Sequence, residues 1–270
     1  MKTIIFSLFF FWGISAYCIG QNKVAAQMEG VPNQGVAVDK DYYYCIFNTK
    51  VTKRSKKDGK LIAEWKADKS ESYKHFSHMN SGIVIDGKLY CTHSNKSTGK
   101  NTMEIWDVSG KNLKHIKTLR LKATIKSHGY ITWADKKSDG SWWVCYAVYG
   151  KKTNSNTLLL KCELKDGDFA EKKRWKFPAE VVKHWGRWSC SGGSWGPDGL
   201  LYTTSHDGYF SLVLKIDEGK LKYLRKEEKM GFYGQGICWD RTEKKQLLWG
   251  IRKHKNVSAT LIPRALNLNP

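Results

Sequence analysis

Short apolar runs alternate with polar turns along most of this chain, and the alternation recurs as a unit. Five times a glycine-led apolar strand enters an acidic turn and is answered by a second, aromatic strand, as in SGIVIDGKLYCTHSN from Ser81 and QGVAVDKDYYYCIFN from Gln34. The leading glycines are Gly35, Gly82, Gly129, Gly193 and Gly236, spaced by 47, 47, 64 and 43 residues. Several short strands per unit at such a period predict a β-propeller. The second unit supplies all four strands of a blade: GIVI, KLYCTHS, TMEIWDV and KHIKTLRL, joined by Asp86-Gly87 and SGKN turns. The outer turns KKDG, KDGD and DEGK carry the same tight-hairpin chemistry. The fifth unit supplies three strands only, so its outer strand is expected from the N-terminal segment around Asn22–Gln27, which would close the ring and leave no free edge. The predicted fold is therefore all-β: a five-bladed β-propeller of four antiparallel strands per blade, with blades near 35–70, 80–121, 127–178, 190–229 and 234–265. The segment PAEVVKHWGRWS from Pro178 reads as a short helix or ordered loop ahead of blade 4.

The first twenty residues stand apart. MKTIIFSLFFFWGISAYCIG carries one lysine, an apolar run and small residues near its end, the pattern of a secretory signal peptide. Residues 21–270 are then one exported domain, secreted or periplasmic, with no integral membrane association, and expected to be a monomer. Export changes the meaning of the charge. A formal net charge of +21 attracts polyanions; outside the cytoplasm an acidic polysaccharide is the expected partner rather than nucleic acid. Many of the lysines, as in KVTKRSKKDGK, also fit ordinary solvated hairpins. Cys45, Cys91 and Cys145 occupy the same place in three successive blades. That is too far apart for a disulfide, so the cysteines read as small buried hydrophobes.

Blade topology sorts the polar residues onto two faces. Asp39, Asp86, Asp139, Asp198 and Asp240 fall at the turns between the first two strands, where turn geometry alone asks for them. The opposite rim gathers seven of the eight histidines, all but His115. From that rim the candidate catalytic residues are His78, His93, Tyr149, Arg187 and His206. The candidate substrate-binding residues are Asn48, Asn80, His128, Trp188, Gln235 and Arg252. The rim offers Asp207, with Glu71 or Glu180, but no evident carboxylate pair of the kind glycoside hydrolysis uses. There is no G-x-S-x-G elbow and no zinc-type cysteine spacing. No cofactor is expected, although several histidines could hold a divalent metal. His, Tyr and Arg without paired carboxylates suit β-elimination on a uronate. An arginine neutralises the sugar carboxylate, a His or Tyr removes the adjacent proton, and a Tyr or His protonates the leaving oxygen.

The strings HFSHMNSGIVIDGKLYCTHSN, SGGSWGPDGLLYTTSHD and GQGICWDR resemble a group of exported bacterial propeller proteins, some labelled cycloisomerase-like, over about residues 35–263. The histidines before and after one blade's first hairpin, His78 and His93, are similar in layout to those of propeller-type ulvan lyases. That resemblance implies roles for His78, His93, Tyr149 and Arg187. Corresponding rim places hold Asn48, His93, Tyr149, His206 and Arg252, which differ from blade to blade. One composite site is therefore expected rather than five copies, and a polysaccharide lyase ahead of its alternatives, a lectin-like glycan binder or a protein-interaction scaffold.

Overall fold

The computed structural model describes residues 21–242, 246–252 and 254–266. The expected signal peptide lies outside the described residues. After an N-terminal strand β1 (Lys23–Met28), blade 1 holds β2 (Gly35–Val38), β3 (Tyr42–Ile46), β4 (Lys50–Ser55) and β5 (Leu61–Lys66). Blade 2 holds β6 (Met79–Ile85), β7 (Lys88–Asn95), β8 (Lys100–Asp107) and β9 (Lys114–Arg120). A one-turn helix α1 (Ile125–His128) leads to blade 3: β10 (Tyr130–Lys136), β11 (Trp142–Ala147), β12 (Leu158–Lys165) and β13 (Asp168–Lys176). Then α2 (Ala179–Trp185), in the segment read as a short helix, precedes blade 4: β14 (Cys190–Trp195), β15 (Leu201–Ser205), β16 (Ser211–Asp217) and β17 (Lys220–Glu227). Blade 5 comprises β18 (Cys238–Trp239), β19 (Leu248–Arg252) and β20 (Asn256–Leu261), followed by α3 (Pro263–Leu266).

Each sheet is four-stranded and antiparallel, and the fifth runs β1-β20-β19-β18. β1 pairs with β20 from Lys23 opposite Leu261 to Met28 opposite Val257. The N-terminal strand thus supplies the missing outer strand, and the chain is a five-bladed β-propeller closed between its two ends. The physical reason is plain: without β1, β20 would present a row of unpaired backbone groups.

The core is layered between blades. The described residues form five buried apolar clusters, and each draws on two neighbouring sheets; Trp133, Trp143 and Trp175 of blade 3, for example, pack with Trp195, Leu201 and Leu212 of blade 4. The cysteines belong to these layers, and all six described ones are buried and unpaired. The hub explains two of the repeat glycines. A Cβ on Gly236 would press against the Cα of Gly35 and the hydroxyl of Ser81, and one on Gly35 would meet the backbone of residues 80 and 81. The innermost strands approach so closely that this part of the axis is filled by backbone.

The acidic turns are structural, as their geometry suggested. Asp39 accepts the Asp41 and Tyr42 amides and, at 2.5 Å, the Tyr44 hydroxyl. Asp198 repeats the device with the Leu200 amide and the Tyr202 hydroxyl. On the same face Arg241 grips the buried Asp135 with two nitrogens, at 3.0 and 2.7 Å.

Candidate functional site

The loop after β11 builds the part of the rim where chemistry converges. Its buried Asn154 donates from Nδ2 to the carbonyls of Gly186 and Trp188, at 2.8 and 2.9 Å. The Gly150 amide donates to the Arg187 carbonyl, and the Thr157 and Ser189 hydroxyls meet at 2.5 Å. Together with the buried Trp185 anchor, these bonds fix residues 186–189 against blade 3. The turn after β15 is held from the other side. The Gln235 side chain donates to the His206 carbonyl and its amide to that of Ser205. Gly234, at φ +59, lies so close that any Cβ would overlap the His206 carbonyl.

Between these pinned segments sits Trp188. The His206 ring stacks on it at 4.3 Å and 21°, the Arg187 guanidinium lies 4.8 Å from its ring centre, and Tyr149 meets it edge-on at 6.1 Å. Tyr130 packs behind Tyr149 at 5.3 Å. His206 Nδ1 lies 2.8 Å from Asp207 Oδ1, a contact that favours the proton on Nδ1 and leaves Nε2, which has no hydrogen-bond partner among the described residues, as the basic nitrogen. Burial pushes the Tyr149 phenol well above its ordinary range, so it stays protonated at neutral pH. Arg187 is exposed, and among the described residues no carboxylate pairs with it.

A cleft of about 930 Å³ opens beside this group, lined by Tyr149, Trp188, His128, Lys96, Lys126 and Lys176, among others, and by no carboxylate. Its lining runs outward over blade 3, from Tyr130 and Tyr149 to Leu158 and Lys176. Arg174 also lines it, and Glu171 holds that guanidinium with two bonds of 2.5 Å. His128 bonds the Ser127 hydroxyl; burial first, and the Arg174 charge second, lower its pKa.

The remaining sequence candidates lie elsewhere. His93 was expected to act on substrate, yet it is wholly buried and both ring nitrogens are engaged. Nε2 accepts the Ser77 amide at 3.1 Å, and Nδ1 faces the Thr102 hydroxyl, its cross-strand partner, at 2.8 Å. Thr102 passes the chain on to Glu104 at 2.6 Å. Glu104, also fully buried, further accepts His75 at 3.1 Å, His115 at 3.0 Å and Thr118 at 2.6 Å. Burial would raise this carboxyl, but His115, His75, Thr102 and Thr118 outweigh it and hold the pKa at about 2. Desolvation takes His93 the other way, down to about 4. No group of three or more His, Cys, Asp or Glu among the described residues is disposed to hold a metal ion.

His78 is half-buried at the start of β6. Asn80 is buried and donates to the Ile131 carbonyl, while Asn48 accepts from Gln34 at 2.7 Å. Arg252 lies by Tyr209. Sequence reasoning passed over Glu104, although a carboxylate inside the buried strand TMEIWD was a usable signal. It also passed over Lys96 and Lys176, whose type alone reads as solvated surface.

No family model and no curated protein matches the chain. Among solved structures it is similar to a candidate oxidoreductase (glucose dehydrogenase) of Thermus thermophilus, at 11% identity and TM-score 0.52, over 89% of this chain and 99% of that one. It is similar to a xylan β-1,4-xylosidase of Bacillus halodurans at 10% identity and TM-score 0.52, over 85% of this chain and 52% of that one. An α-L-arabinofuranosidase of Fusarium graminearum follows at 10% identity and TM-score 0.50, over 86% and 77%. These likenesses show the fold. No helix among the described residues is long and apolar enough to cross a membrane.

Proposed function

We propose that in this exported protein the rim of blades 3 and 4 acts on an acidic polysaccharide, as a lyase that cleaves by β-elimination. The observation that carries this reading is that one tryptophan gathers a protonated phenol, a guanidinium without a carboxylate partner and an aspartate-oriented imidazole beside a basic cleft. Arg187 pairs with the uronate carboxylate as charge develops on it. His206 removes the neighbouring proton through Nε2, and Tyr149 delivers its proton to the leaving oxygen. Trp188 supports the reacting groups, and His128 with the cleft lysines orients the chain. The names of two structural neighbours, an arabinofuranosidase and a xylosidase, agree with a carbohydrate substrate. A cleft without carboxylates fits elimination better than hydrolysis.

The test mixes the purified mature protein with ulvan, alginate, pectate and glycosaminoglycans and follows ultraviolet absorbance of the unsaturated uronate product. Turnover is expected on at least one, with His206→Ala slowing it by about a hundredfold or more. Binding without any product across the panel would make the cleft a lectin-like site, which the aromatic and cationic lining also suits.

A further inference from the structure

The turn that carries His206 continues into a second arrangement of the same kind. Three residues on, Tyr209 stands 49% exposed, unusual for a large aromatic. Its ring packs against Tyr233 at 4.6 Å and 59°. The Arg252 guanidinium lies 5.6 Å from the Tyr209 ring centre, with one nitrogen 3.4 Å from the hydroxyl. Arg252 Nε is buried without a hydrogen-bond partner, and among the described residues no carboxylate pairs with the guanidinium. The backbone holds the group in place: the Tyr233 amide donates to Ile251, and the Gly234 amide donates to Gly208. The connections after β15 and β17 thus meet the end of β19 here.

This group and the Trp188 group flank one short turn. His206 meets Trp188 while Tyr209 meets Tyr233 and Arg252, and the two backbones can be no more than about 11 Å apart. Each side offers an aromatic platform and an arginine that no carboxylate pairs with among the described residues. An aromatic ring suits the apolar face of a sugar, and an arginine fork suits a carboxylate or sulfate.

Resting on the reading of the Trp188 cleft given above, we propose that Tyr209, Tyr233 and Arg252 form a second anionic-sugar subsite. The protein then takes an acidic glycan as a chain spanning blades 3 to 5, not as a single terminal sugar. Tyr209 and Tyr233 carry one sugar ring and Arg252 its acid group, while the neighbouring unit lies at Arg187 and Trp188.

The test uses the whole mature protein with disaccharides and hexasaccharides of alginate, pectate and chondroitin sulfate. Affinity is measured calorimetrically for wild type, Tyr209→Ala, Arg252→Gln and Trp188→Ala. Wild type is expected to bind a hexasaccharide about tenfold or more tightly than the disaccharide. Tyr209→Ala and Arg252→Gln should each erase most of that gain. Tyr209 is exposed, so its truncation leaves the fold intact; the thermal midpoint checks this. A length gain that survives both substitutions, or no gain in wild type while the disaccharide still binds through Trp188, overturns the second subsite alone. No binding of any acidic oligosaccharide overturns the cleft reading and the subsite with it.

Discussion

Blade 2 and the boundary of blades 3 and 4 hold similar side chains to opposite ends. Around Glu104 three histidines and two threonines surround a buried carboxylate, and each contact is to another group of the same protein. Around Trp188 the histidine, arginine and tyrosine each meet the indole ring, and among the described residues the arginine has no carboxylate partner. The difference lies in what satisfies the nitrogens, not in residue type. A histidine whose two nitrogens are already bonded inside the protein stabilises the fold; one with a single nitrogen held and the other free can act on something else.

The comparison breaks most sharply at Glu104. Glu104→Ala leaves two histidines and two threonines without the buried carboxylate that accepts from them. Removing one partner of a buried charged network costs about 3–5 kcal/mol. Denaturant titration should show that loss, or no soluble protein at all. Asp207→Asn, at the exposed side of the other cluster, should change stability by less than about 0.5 kcal/mol while altering turnover. Equal stability losses in the two variants would dissolve the distinction between the regions.

That distinction was only partly legible in the sequence. The blades were, because each solves the same problem with the same residues: glycine where inner strands crowd the hub, aspartate at the first turn, Asp-Gly or Lys-Asp-Gly at the last. The closing strand followed from one missing edge. The rim was legible as a face, since strand direction alone puts Tyr149, Arg187, Trp188 and His206 on it. Which of them meet was not. Trp188 reaches Tyr149 because Asn154 ties together loops more than thirty residues apart, and no local pattern encodes that bond. His93 misled for the same reason. It shares the rim side of β7 with real surface residues, but its fate is decided by Thr102 opposite and Ser77 in another loop.

Acid sharpens the contrast next. His93 falls from 6.5 to about 4 on folding, through desolvation above all and against the pull of Glu104. Its folded pKa is depressed, so the unfolded chain takes the proton first. The neutral ring's contribution is complete above pH 6.5 and lost as pH drops toward 4. Glu104 falls from 4.5 to about 2, so its contribution is complete above 4.5 and lost below that, toward 2. Stability should therefore decline in two stages on acidification, the first amounting to about 3 kcal/mol. His93→Gln should remove most of the upper stage and keep the lower, leaving the smaller part that His128 and His184, also lowered by burial, contribute. An upper stage of undiminished size in that variant overturns the internal role drawn for His93.

The smallest change tests the rim itself. Arg187→Lys keeps the positive charge and loses the planar fork and the stack on Trp188. If Arg187 served only to raise the local potential, lysine would replace it without loss. Should it instead hold a planar carboxylate in register while resting on the indole, the variant gives up about 0.5–1 kcal/mol of exposed cation–π contact together with the bidentate geometry. Affinity for a uronate oligosaccharide should then fall about threefold to tenfold with the thermal midpoint unmoved. The same exchange at Arg225, which pairs with Glu227 at 2.6 Å on the outer edge of blade 4, should leave affinity untouched. Only a recognition site distinguishes the two arginines in that way.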